Sequence, residues 1–437
     1  MREPLHFNQS SPLRLPLPMM LAAPVFGSAA LFLALFSTAS LIANRWDPLL
    51  IAAVHLFTLG FLGSTMLAAI LQLLPVLSGH LPLRNRPVIL VIQSGFLAGV
   101  LLFAIGMASG TSSVLRIATV MLGVALAAFF TSVLPQFGIL SRIRRPASRR
   151  PAVIGMAFAV AGFVVAATLG LWLLCGWGFS NIQLPRQFTD LHASWAMVGW
   201  VAPLVFAVSL EVVPMFQFTR PLPRFAHAIP VLLPAGMLLA SMSATRMLGI
   251  GLLVALLVAG SITILVRQWR RPHGHADATL KLFRIAMLAL LASIFIFLLP
   301  DGPFASMQAR EVAATLLFLV GFAGSCIIGM SLKIVPFLLR LHLQKELWEL
   351  SLPARSLPGF TRMLPPHVDR WLWLPHASGL ALSTTGLVTG SGPLLQFGLA
   401  LLCLAMIYAG VTLWWVAWQA FRLQQNLSTG KIQGEPA

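Results

Sequence analysis

The chain has 437 residues, 58% of them hydrophobic and 9% charged, with a formal net charge of +18. That balance excludes a soluble globular domain and fits a polytopic membrane protein. The positive charge is not a nucleic-acid signature, because most of it is concentrated on one side of the apolar runs.

Apolar runs of about twenty residues recur along almost the whole length. They predict twelve spans, near 19–43, 49–75, 88–110, 114–139, 152–178, 190–216, 226–243, 246–266, 282–300, 312–339, 371–391 and 395–419. Leu15–Phe26 also resembles the apolar core of a signal peptide, but the charge pattern requires this first helix, which is read as retained. With twelve spans, 23 of the 29 Lys and Arg fall on the side of both termini. Arg45, Arg116, Arg186, Arg246 and Arg310 lie opposite, and Lys333 is intramembrane. This bias sets the termini in the cytoplasm. Arg142, Arg144, Arg145, Arg149 and Arg150 are topology signals with some attraction to anionic lipid.

The longest break is the cytoplasmic loop 340–370. Leu341–Leu350, with Trp348, predicts an interfacial amphipathic helix. Pro353, Pro358, Pro365 and Pro366 then end regular structure. Trp172 and Trp177 near the outer interface, and Trp371, Trp373, Trp414, Trp415 and Trp418 near the inner one, are aromatic-belt positions. Cys175, Cys326 and Cys403 fall inside spans without CxxC spacing and read as small apolar fillers.

Spans 2, 6 and 10 repeat one pattern. Gly60, Gly199 and Gly321 are each followed by Leu at eleven residues, a polar residue at twelve and Pro at fifteen. The polar residues are Gln72, Glu211 and Lys333, and the prolines are Pro75, Pro214 and Pro336. Eight residues after each glycine stands a small residue, Ala68, Ala207 or Gly329, which allows close helix approach in lipid. The prolines predict a break or kink just past each polar residue. The expected fold is therefore all-α: one transmembrane domain over 1–437, about twelve helices in three pseudo-repeated groups of four, approximately 19–140, 152–266 and 282–419.

Intramembrane polar groups are costly unless they meet one another, so Gln72, Glu211 and Lys333 are expected to converge in one cluster. Two readings of it stand side by side: an ion pair capped by an amide that fixes helix register, and a proton or ion relay.

His55 and His192 precede the repeat glycines of spans 2 and 6 by five and seven residues, at similar depth toward the outer side. Neutral imidazole is the usual haem or metal ligand in a helical bundle. At 100° per residue each ring lies about 100° off the polar face, in opposite senses. The pair either flanks one inter-helix space or points into two. His273, His275 and Asp277 form an HGHAD stretch with too few visible ligands for a metal site. His80, His227, His342, His367 and His376 are placed at the cytoplasmic interface as solvated side chains.

Twelve helices in three groups of four, with histidines near the outer ends of spans 2 and 6, resemble subunit I of haem-copper oxidases. The segment HLFTLGFLGSTML from His55 is similar to the smaller NnrS-type relatives linked to nitric oxide stress. The stretches EVVPMFQ from Glu211 and KIVPFLLRLHLQ from Lys333 look like those of bacterial proteins of this kind. The resemblance implies His55 as a haem axial ligand and His192 as a haem or metal ligand. It implies a bacterial inner-membrane location, respiratory or nitric-oxide-related metabolism and a redox partner. Two departures count against a full oxygen-reducing site. Span 10 carries no histidine at the matching depth, where Ala314, Thr315 and Leu316 stand, and Ser241–Arg246 offers no copper-ligating histidine. What the resemblance leaves is the scaffold with one haem or metal held by His55 and His192, and copper is not expected. Two other function classes remain open: a transporter or permease using the Gln72–Glu211–Lys333 cluster, and a cofactor-free scaffold or assembly protein.

Overall fold

A computed structural model describes residues 9–137, 151–179, 187–272, 276–300, 304, 306–349 and 363–428. Among them there is no strand, and ten helices are long and apolar enough to cross a membrane. In chain order these are α1 (Pro16–Phe36), α2 (Pro48–Ser78), α3 (Arg86–Ser109), α4 (Ser112–Phe137), α5 (Pro151–Gly178), α6 (Gln187–Gln217), then α8 (Ser243–Trp269), α9 (Ala278–Leu298), α10 (Met307–Trp348) and α12 (Gly392–Asn426). Two shorter helices, α7 (Ile229–Ser241) and α11 (Trp373–Thr389), occupy the seventh and eleventh expected spans. The chain is an all-helical, multi-pass membrane protein.

The helices begin where local chemistry satisfies their first N–H groups. Asp47 caps α2 by accepting from the N–H groups of Leu49 and Leu50, with Pro48 at the first helical position. Asn85, Asp277 and Ser306 cap α3, α9 and α10 in the same way. Gly79 and Gly110, at φ 71° and 66°, close α2 and α3 in the left-handed conformation.

The three repeat helices form the interior of the bundle. The buried share of their apolar windows is 67% for α2, 72% for α6 and 89% for α10, against 33–50% for the other long helices. Each contains a π-helical stretch in the same register: Leu56–Gly63, Trp195–Val201 and Leu317–Gly324. The repeat glycine is the fifth residue of the stretch each time.

These glycines admit the first helix of their own unit. A Cβ at Gly60 would stand 2.6 Å from Phe26 of α1, and one at Gly321 would stand 2.6 Å from Ala289 of α9. At Gly199 the relationship is reciprocal, because a Cβ on Gly162 of α5 would fall 1.9 Å from the Gly199 carbonyl oxygen. Close approach of backbones replaces a hydrophobic driving force between helices in lipid. α10 then bridges the other two: Phe57 of α2 lies against Gly324, and the Phe206 ring of α6 lies 6.1 Å from that of Phe322.

Two local expectations are corrected. Pro75, Pro214 and Pro336 lie inside helices that continue past them, to Ser78, Gln217 and Glu349. The irregularity sits upstream, in the π stretches. Leu341–Glu349 is likewise the continuation of α10 rather than a separate helix, and His342 meets Glu346 one turn on at 3.2 Å. Arg142–Arg150, His273, His275, Pro353 and Pro358 lie outside the described residues.

Candidate functional site

His55 is the last α-helical residue before the π stretch of α2, and His192 lies three residues before that of α6. The fold brings the two rings into one cleft. Their centroids are 6.2 Å apart and their planes differ by 5°. Each Nδ1 faces a backbone carbonyl: Ile51 at 2.8 Å for His55, and Ala166 of α5 at 2.9 Å for His192. A carbonyl only accepts, so each Nδ1 carries the proton, and in the neutral ring each Nε2 keeps its lone pair. Among the described residues neither Nε2 has a hydrogen-bond partner, and both side chains are only half-buried. Two rings are thus oriented through Nδ1 with Nε2 available, as in histidine ligands whose other ring nitrogen donates to a carbonyl.

The walls of the cleft fit these rings closely. Phe103 of α3 packs on His55 with 4.6 Å between centroids. A Cβ at Gly170 of α5 would stand 2.7 Å from Cε1 of His192, so glycine leaves room for the imidazole. Arg45, three residues before α2, links the entry of that helix to α6 and α10. Its Nη2 lies 3.1 Å from Asp190, two residues before His192, and its Nη1 lies 2.9 Å from Glu311 of α10. Ser40 donates to Asp47 at 2.6 Å and so ties the segment before α2 to that helix's cap. That bond, helped by the Leu49 and Leu50 amides against a smaller opposing effect of burial, holds the Asp47 carboxyl below its ordinary range.

The donor set decides which group the site suits. Among the described residues no cluster of three His, Cys, Asp or Glu is placed to hold a metal ion. Two imidazoles alone under-coordinate a bare ion, whereas a porphyrin brings four nitrogens of its own and needs two axial partners. Two trans imidazoles with metal–nitrogen bonds near 2 Å place their ring centroids roughly 6.3 Å apart. In donor type and ring spacing the two histidines match what a haem would ask of them.

The expected polar triangle is resolved differently. Gln72 donates to Ser10 Oγ at 2.8 Å, and Ser11 donates to the Leu71 carbonyl at 2.7 Å. Lys333, with 7% of its side chain exposed, pairs with Asp277 at 2.5 Å. Ser10 and Asp277 both belong to the segments leading into α1 and α9. In these two units the polar residue therefore anchors the start of its own unit instead of meeting its counterparts at the centre. Glu211 is half-buried on α6. The π stretches account for this: they turn less per residue than an α-helix, which swings the polar position back toward the glycine face and the first helix.

His376 is not a solvated interfacial side chain. It is 2% exposed, and its Nε2 is hydrogen-bonded to Ser325 Oγ of α10 at 2.7 Å. The available signal was Ser325 itself, which shares its repeat position with Ser64. Asp277 of the HGHAD stretch serves as a helix cap and ion-pair partner. The three cysteines are unbridged, as their spacing implied.

A scan against protein-family models gives no match to this chain, and a search of curated proteins finds no match either.

Proposed function

We propose that this is a haem-carrying electron-transfer protein of the bacterial inner membrane, with His55 and His192 as the two axial ligands. The scaffold is that of haem-copper oxidase subunit I and its NnrS-type relatives, with the termini in the cytoplasm. The observation that carries the reading is the pair of parallel imidazoles 6.2 Å apart, each fixed through Nδ1.

Bound there, a haem supplies one-electron chemistry. The chain's own contribution is positional. Ile51 and Ala166 hold the tautomer that presents Nε2, Gly170 makes room for the His192 ring, and Arg45 ties the entry of α2 to α6. Were His55 and His192 both committed to holding a haem, the group would supply electron transfer and neither histidine would be free to make way for oxygen or nitric oxide. The role in respiratory or nitric-oxide-related metabolism is then electron delivery to or from a redox partner, not reduction of the gas. The transporter alternative needs Gln72, Glu211 and Lys333 as one relay, and two of the three are engaged with Ser10 and Asp277.

The test is the visible spectrum of protein purified from cells supplied with haem precursor. The expected result is a low-spin haem at one per chain that carbon monoxide does not perturb. Absence of haem absorption, including after incubation with haemin, overturns the reading.

A further inference from the structure

A second site lies on the outer surface of the bundle, between α1 and α12. An open groove of about 710 Å³ runs there, lined by Pro24, Ser28, Gly410, Trp414, Trp415 and Trp418 among others. Its floor is shallow in side chains. A Cβ at Gly410 would stand 3.0 Å from Pro24, and the Ser28 hydroxyl is turned inward onto the Pro24 carbonyl at 2.8 Å. Trp414 is fixed by donation from its indole to the Leu21 carbonyl at 3.0 Å.

The groove is graded along its length. The lining residues of α12 run from Ile407 to Trp418, which is about 16 Å of helix rise. That is about half the hydrocarbon thickness of a bilayer, the depth of one leaflet. The deep end is aliphatic. The shallow end carries the indoles, and one turn beyond them the exposed Arg422 stacks over Trp418, its guanidinium carbon 3.8 Å from the ring centroid. Stacking leaves the in-plane N–H donors of a guanidinium free. Among the described residues, Arg422 and the indole N–H groups of Trp415 and Trp418 make no hydrogen bond or ion pair with protein.

We propose that this groove is a specific site for one anionic phospholipid. An acyl chain lies along Pro24 and Gly410, the indoles of Trp415 and Trp418 meet the ester region, and Arg422 binds the phosphate. A second protein copy would bury the same surface, but it would not call for a leaflet-length groove that ends in unpaired phosphate-type donors. The proposal depends on the membrane location and not on the haem reading.

The test uses the full chain in phosphatidylcholine bilayers. A fixed fraction of lipid is replaced by dibrominated phosphatidylglycerol or by dibrominated phosphatidylcholine, and quenching of tryptophan fluorescence is measured. The expected result is preferential quenching by the anionic lipid, equivalent to an association about fivefold stronger, as for one basic side chain at the surface. Arg422→Gln, at an exposed position, should bring the two lipids level. Val411→Phe, which fills the groove from its exposed lip, should reduce quenching by both. Equal quenching of the wild-type protein by the two lipids overturns the proposal, as does a preference that survives Arg422→Gln. Quenching by neither lipid assigns the groove to a protein surface and also overturns it.

Discussion

The imidazoles of His55 and His192 lie parallel, 6.2 Å apart, although 137 positions separate them in the chain. Each is locked by a carbonyl on Nδ1, so the relationship is built by three helices: α2 and α6 carry the rings, and α5 supplies Ala166.

Gly170 should prove as necessary to the site as the ligands. Gly170→Ala places a methyl 2.7 Å from His192 Cε1, and the ring end gives way before the backbone does. The expected cost in stability is about 1 kcal/mol, at the lower end for an overpacked site. Haem content should fall well below one per chain while the melting curve stays cooperative. Haem content equal to wild type would show that the ring does not depend on this gap.

The Lys333–Asp277 pair should be asymmetric. Asp277→Asn keeps the α9 cap but leaves a nearly buried ammonium without its partner. It should cost about 2–3 kcal/mol, less than a fully buried pair because 31% of the Asp277 side chain is exposed. Lys333→Met removes the buried charge and leaves a carboxylate that water can reach, so about 1 kcal/mol is expected. Unfolding of both variants in mild detergent checks the order, and equal losses would contradict it.

The far-end cap should titrate. In the folded chain the Asp47 carboxyl is held below its ordinary range, first by Ser40. A depressed carboxylate stabilises the fold above its unfolded value, near pH 4, and that contribution is lost as pH falls through the folded value. Asp47→Ala should cost about 1 kcal/mol at pH 7, as for other caps. The difference from wild type should shrink below about pH 4. Ser40→Ala should move that loss to higher pH. Melting temperatures recorded from pH 3 to 7 test both statements.

The spacing of three glycines was enough to place α2, α6 and α10 at the centre, because a motif repeated at identical offsets implies equivalent packing. The depth of His55 and His192 was legible for the same reason. Their shared cleft was not. An ideal helix turns 100° per residue, and the π stretches between each histidine and its polar counterpart change that angle. The same unseen turns moved Gln72 and Lys333 away from a common cluster toward Ser10 and Asp277. Ser10 lies in a polar leader and Asp277 beside two histidines, so neither announced its partner. In the sequence Arg45 is one of five arginines opposite the termini, and the fold places it between Asp190 and Glu311.

Electron paramagnetic resonance of the ferric protein tests the central claim most directly, because it reads both the number and the orientation of axial imidazoles. With ring planes 5° apart, the account predicts a low-spin rhombic signal, of the kind given by near-parallel imidazoles. That signal should be lost in both His55→Ala and His192→Ala. A high-spin signal from the wild-type protein, or a low-spin signal that survives either substitution, would contradict it.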